Sequence, residues 1–198
     1  IELCIDALSV DALGKGEQGR RLSFRDASGR PCFEMTIRYE SEGASPPPAT
    51  PTGGLEPWSA AANAAYEGVV GVAGTRRAIA DLEGVSDEGG MALLNTMRAF
   101  GDRGESFVRG FDPAAFEGLL QLGALWSHQR AGVLERLQGI GEMVVHQLGQ
   151  LESFPDRLRS AFRARRTAQG TLFDFVLATE EGELVLELRE VAFGARPA

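Results

Sequence analysis

Along most of this chain hydrophobic residues recur at every second position, the period of a half-buried strand. IELCIDALSV (1–10) alternates in this way and predicts a strand. Beyond the turn-like GKGEQG, the segments RRLSFRD and CFEMTIRYE flank ASGRP as the two arms of a β-hairpin, with Leu22 and Phe24, then Phe33, Met35, Ile37 and Tyr39, alternating with polar neighbours. Residues 40–54, ESEGASPPPATPTGG, have nothing to bury and read as a linker or surface crossing. PWSAAANAAYEGVV predicts the start of a helix with Ser59 near its N-terminus. TRRAIADLEGV and GMALLNTMRAF read as strands around a turn at Ser86 to Gly90, and SFVRGFDP as an extended lead into Pro113. Then the period changes. From Ala114 to about Arg136 apolar residues follow helical spacing, with Asp112 as a natural N-cap and Pro113 suited to the first turn.

The remainder returns to strands: IGEMVVHQL, LRSAFRARR, and a hairpin of TLFDFVLAT and ELVLELREVAF around Glu180 to Gly182. A long helix followed by several antiparallel strands predicts an α+β fold with the helix packed on the sheet. A coarse echo runs through the chain. SFRDASGRPCFEMTIRY and FDFVLATEEGELVLELREVAF are each a strand, an acidic glycine turn and a longer alternating strand, which suggests two copies of one fold end, the first truncated at its start.

At 198 residues, 43% hydrophobic and 24% charged, the chain is long enough to bury a real core as one domain or two small ones. No apolar run reaches the roughly 18 residues of a membrane span. A chain that opens on Ile1 rather than Met reads as a segment of a longer one. The formal net charge of −8 argues against nucleic acid as a partner; the Arg run Arg159, Arg163, Arg165, Arg166 is the local exception, and such runs are usually a solvated face. Cys4 and Cys32 lack metal-ligand spacing and make no disulfide framework, as suits buried thiols in a reducing cytosol. Gly14 to Gly19 formally matches G-x-G-x-x-G, but the dinucleotide fingerprint needs a helix to follow, and RRLSFRD reads as a strand. His128 and His146 stand in no metal-binding pattern, and no serine sits in a G-x-S-x-G elbow.

The chemistry that stands out lies on the long helix. Phe116, Leu119, Leu120, Leu122, Leu125 and Trp126 cover most of its circumference, as on a buried helix, yet Glu117 and Gln121 share one face a turn apart. A carboxylate there must be paired, protonated or at an exposed edge. Two readings fit: a polar stripe facing solvent in which Gln121 bonds Glu117, or an acid held at a tunnel mouth with the amide orienting it.

The stretch DPAAFEGLLQ (Asp112 to Gln121) resembles the central-helix motif HPALLDAALQ in the second hotdog repeat of polyketide synthase dehydratase domains. The order of IGEMVVHQL, LRSAFRARR and the final hairpin is similar to the strands that close that repeat. Arg77-Ala-Ile79-Ala-Asp-Leu82 resembles the segment that follows the family's YGP motif. The resemblance implies a double hotdog with an incomplete first repeat: residues 1–40 its end, 41–56 a linker, 57–198 the second repeat. It implies removal of water from a β-hydroxyacyl thioester carried on the phosphopantetheine arm of an acyl carrier protein, with no metal and no bound cofactor. Glu117 would be the proton donor and Gln121 its orienting partner, with the base a histidine outside this segment. Other expected partners are neighbouring synthase domains and a second copy of the chain; nucleic acid and membrane are not expected. The chain also departs from the family. Its acid is Glu where the family has Asp, Asp112 replaces the leading His, Val72 stands at the YGP tyrosine, and H-x-x-x-G-x-x-x-x-P is absent. These departures keep open a catalytically inactive, dehydratase-like structural domain. A hotdog thioesterase, in which a carboxylate activates water, is a third reading.

Overall fold

The computed structural model describes residues 54–70, 77–101, 112–146 and 155–194, together with three strands at 2–7, 18–25 and 31–39 defined by their backbone pairing. The strands are β1 (Glu2–Ala7), β2 (Gln18–Arg25), β3 (Pro31–Tyr39), β4 (Ile79–Ser86), β5 (Gly89–Asn95), β6 (Arg136–Val145), β7 (Arg157–Thr167), β8 (Gly170–Ala178) and β9 (Leu184–Gly194). The helices are α1 (Ala60–Ala65), which runs on into a π turn at Tyr66–Val70, and α2 (Pro113–Ala131). A single 3-10 turn, Met97–Phe100, follows β5.

All nine described strands join one sheet in the order β1-β2-β3-β6-β9-β8-β7-β5-β4. Every neighbouring pair is antiparallel except β3 and β6, which run parallel from Met35↔Ile140 to Tyr39↔Val145. The alternation in the sequence decides which face is buried. On β8, Thr171, Phe173, Phe175 and Leu177 point inward while Leu172, Asp174, Val176 and Ala178 stay half-exposed. On β7, Leu158, Ser160, Phe162 and Ala164 are buried while Arg157, Arg159, Arg163 and Arg165 are exposed. The inner face carries an aromatic cluster: Phe173 stacks on Phe175 at 5.5 Å and meets Trp126 of α2 edge-on at 5.6 Å and Phe193 at 5.1 Å. Such pairs add to the free energy of burial.

Helix α2 lies on this cluster and comes close because it carries glycine at its contacts. A side chain on Gly123 would meet the Phe193 ring at 2.8 Å, and one on Gly118 would meet Leu94 at 3.1 Å. The helix is shorter than the apolar pattern predicts. Gly132, at φ 70, ends it in a left-handed cap whose N–H bonds the His128 carbonyl. The pattern runs on to Arg136 because Val133 and Leu134 are apolar too, but Val133 is exposed and β6 starts at Arg136. For the same reason β6 begins four residues before Ile140 and stops at Val145, ahead of His146. The hairpins β2–β3, β4–β5 and β8–β9 form where the sequence predicts them. The second half of TRRAIADLEGV is strand, and GMALLNTMRAF is strand only to Asn95, where the 3-10 turn takes over. The stretch SFVRGF, most of residues 40–54, and Val72 lie outside the described residues.

Candidate functional site on helix α2

The start of α2 is fixed by one side chain. Asp112 is buried; its Oδ1 accepts the Ala115 N–H at 2.9 Å and its Oδ2 accepts the Met97 N–H at 2.9 Å. The first is the N-cap bond that the sequence implies; the second ties the helix to the 3-10 turn after β5. Pro113 follows in the first turn, where its missing N–H costs nothing. With the N-terminus held and Gly118 seated against Leu94 and Ala78, the rotation of the next two turns is determined.

That rotation leaves Glu117 half-buried and Gln121 3% exposed. Gln121 Nε2 donates to Glu117 Oε1 at 3.3 Å. The pair is therefore joined as both readings of the sequence require, but it is not a stripe facing solvent, because Gln121 is inside. The other end of the amide has no partner: Gln121 Oε1 is buried and accepts no hydrogen bond among the described residues. An unpaired buried carbonyl oxygen costs roughly 1–3 kcal/mol, and a donor brought in by a ligand would recover it.

Tyr66, in the π turn after α1, belongs to the same neighbourhood and has no place in the sequence reading. It is buried; its hydroxyl accepts the Ile79 N–H at 2.9 Å and donates to the Ile79 carbonyl at 3.4 Å. Burial pushes its phenol above the ordinary value; the Ile79 bond and the positive charge of Arg77 oppose this, and the negative charge of Glu117 adds to it. The Tyr66 ring also lines a cavity of about 370 Å³, open between α1 and the start of β4, with Trp58, Glu67, Arg77, Asp81 and Leu82 among its walls. Glu117 and Gln121 do not line this cavity. Trp58 Nε1, buried at the same wall, has no hydrogen-bond partner among the described residues. The sequence does hold a signal for these two aromatics. They flank a short alanine-rich helix capped by Ser59, whose Oγ accepts the Ala62 N–H at 3.0 Å, and large side chains on either side of an Ala run have to supply its packing.

Neither described histidine reaches Glu117. His128 lies eleven residues further along α2, about 16 Å at 1.5 Å per residue. His146 is bonded to Glu187 at 2.6 Å, and Glu187 opposes Val176 on the sheet face away from α2. Glu187 is fully buried there, held also by Arg189 at 2.8 Å, which reaches Glu142 at 3.4 Å. Of the Arg run, Arg166 leaves the row: it bonds Glu135 at 2.9 Å and covers the Trp126 ring at 5.7 Å. The G-x-G-x-x-G glycines are followed by strand β2, not by a helix. Gly14 to Gly16 and the side chains of Cys4 and Cys32 lie outside the described residues. Among those described, no three His, Cys, Asp or Glu side chains are grouped to hold a metal ion, and no helix is long and apolar enough to cross a membrane.

Among solved structures, the dehydratase domain of RzxB from Pseudomonas fluorescens matches 98% of this chain and 68% of its own, at 15% identity and a TM-score of 0.61. The chain has the fold of a dehydratase domain. No protein-family model and no curated protein matches the sequence. At 15% identity the likeness speaks for the fold, so what the site does rests on its own geometry.

Proposed function

We propose that this chain is the dehydratase-like portion of a polyketide or fatty-acid synthase: a double hotdog with an incomplete first repeat, acting on β-hydroxyacyl thioesters carried by an acyl carrier protein. The observation that carries the reading is the pair on α2. Glu117 is half-buried and bonded by Gln121 Nε2, while Gln121 Oε1 is buried and lacks a donor. A β-hydroxyl entering beside the pair would donate a hydrogen bond to Gln121 Oε1 and set its oxygen against the Glu117 carboxyl. Elimination then needs that carboxyl to protonate the departing oxygen as a base removes the α-proton from the other side. A helix packed on a sheet is a rigid mount for such an acid. The dehydratase-domain fold supports the same reading. The base would come from outside the described residues, since His128 is too far away and His146 is bonded to Glu187 on the opposite sheet face.

The test is to incubate the polypeptide that carries this chain with β-hydroxyacyl thioesters on a loaded carrier and to follow loss of water by mass spectrometry, with Glu117→Gln beside it. Water loss that drops by about 100-fold or more in the variant, the scale of general acid catalysis, is expected. No water loss from the folded wild type would sink the reading. It would favour a non-catalytic dehydratase-like domain, the alternative supported by the longer acid and by the absence of a histidine near Glu117 among the described residues.

A further inference from the structure

The cavity of about 370 Å³ between α1 and the start of β4 lies apart from the α2 pair, and its walls leave several groups unsatisfied. Trp58, Tyr66 and Ile79 are buried and give it an apolar, largely aromatic wall. The Tyr66 hydroxyl already bonds both backbone groups of Ile79. Trp58 is the residue with a donor to spare, because its Nε1–H is buried and has no acceptor among the described residues. Glu67, Arg77 and Asp81 line the same cavity and are all exposed. Two carboxylates and a guanidinium thus share one cavity, yet none of the three makes an ion pair among the described residues.

We propose that this cavity binds an aromatic α-amino acid as its zwitterion. The carboxylate would accept from Trp58 Nε1 and from Arg77, and the ammonium would pair with Asp81 or Glu67. The aromatic side chain would lie against Tyr66 and Ile79. Size agrees: at roughly 30 Å³ per water, the cavity has room for about a dozen waters, or one ligand of about as many non-hydrogen atoms. Charge decides between ligand classes. A phosphate or a plain carboxylate would face two acids for one arginine. A plain amine would leave Arg77 and the Trp58 N–H without an acceptor. A molecule that carries both charges on an apolar body answers every group in the wall, and charge-assisted hydrogen bonds are the strong ones. The site is independent of the dehydratase reading and stands whether or not Glu117 is an acid catalyst.

The test adds L-phenylalanine to the full 198-residue chain labelled with nitrogen-15 and follows its indole N–H signals by NMR. The chain has 2 tryptophans, and Trp58→Phe assigns their signals. Trp126 Nε1 already donates to the Ser86 carbonyl at 3.0 Å, so its signal should stay in place. The Trp58 signal should move downfield as the carboxylate accepts its hydrogen bond, with a dissociation constant of about 1 mM, the scale for a ligand of this size. Phenethylamine and 3-phenylpropanoate keep the ring and one charge each, and should bind about tenfold more weakly or worse. Arg77→Gln, and separately Glu67→Gln/Asp81→Asn, should weaken phenylalanine by about tenfold. Arg163→Gln, an exposed arginine on β7, should bind like the wild type. The substituted side chains are exposed, so the variants should melt like the parent; if one does not, the comparison of the three ligands on the wild type decides. A Trp58 signal that does not move, equal movement of both indoles, a single-charge ligand that binds as tightly as phenylalanine, or unchanged binding by both folded variants overturns the proposal.

Discussion

At the scale of single residues, two side chains near α2 can be separated by what each loses on substitution. Gln121 has an unpaired buried oxygen and one 3.3 Å bond to a half-buried acid. Gln121→Leu removes the unpaired acceptor together with a weak hydrogen bond, so stability should hold or rise by up to about 1 kcal/mol while any water-loss activity falls. Urea unfolding and a turnover assay on one preparation check both halves; a large loss of stability would mean that Gln121 is there for packing alone. Tyr66 gives a pH prediction. Its folded value is raised, chiefly by burial, above the unfolded value of about 10. Its contribution to stability is therefore complete below about pH 10 and is lost as pH climbs through the raised folded value. The chain has 2 tyrosines, so the tyrosinate absorbance of a Tyr39→Phe variant reports Tyr66 alone and should appear above the ordinary phenol range. The Glu117–Gln121 spacing was plain in the sequence because one helical turn links them. Tyr66 was not, since its proximity to Glu117 depends on how the π turn after α1 meets a helix some fifty residues away.

At the scale of elements, α2 is defined by its two ends and its two glycines. Asp112→Ala takes a buried acceptor from two backbone N–H groups at once. It should cost about 2–3 kcal/mol, more than an ordinary cap, because the Met97 N–H is stranded along with that of Ala115. The glycines should behave differently from each other. An alanine at either gains about 1 kcal/mol of helix propensity. At Gly123 the new methyl would press on the Phe193 ring, itself packed at 5.1 Å against Phe173, so Gly123→Ala should be net destabilising by roughly 1–2 kcal/mol. At Gly118 the new methyl would meet the ends of the Leu94 side chain at 3.1 Å and the Ala78 Cβ at 3.4 Å, looser contacts than the ring at Gly123, and Gly118→Ala should be closer to neutral. Thermal melts of the two variants decide it, and equal losses would mean that the helix is not seated on Phe193 as described. Asp112-Pro113 announced the N-terminus because capping is local chemistry. The C-terminus is hidden because a left-handed glycine and an exposed Val133 look, in sequence, like one more apolar turn.

At the scale of the molecule, the alternation in β7, β8 and β9 made the strands legible, while the lateral order of the sheet was not. Nothing local records that β3 lies beside β6, a strand about a hundred residues later, or that the two run parallel. That seam has a mechanical consequence. It is the one parallel joint among the described strands, it spans only Met35–Tyr39 against Ile140–Val145, and its register shifts between Met35 and Ile37. The antiparallel joints on either side, β2–β3 and β6–β9, are longer, and parallel pairing is slightly weaker per residue. The sheet should therefore part at the seam first. Trp58 and Trp126 both belong to the β4–β9 side and are both buried, so their fluorescence reports that body alone, whereas far-ultraviolet dichroism reports every strand. In a urea titration, dichroism should lose a first fraction of its strand signal, that of β1 to β3, at lower denaturant than the fluorescence change, and the two curves should not overlay. Coincident curves would show that the seam holds as firmly as the antiparallel joints. The nine strands would then unfold as one cooperative unit, with the parallel junction supported by more than its own short ladder.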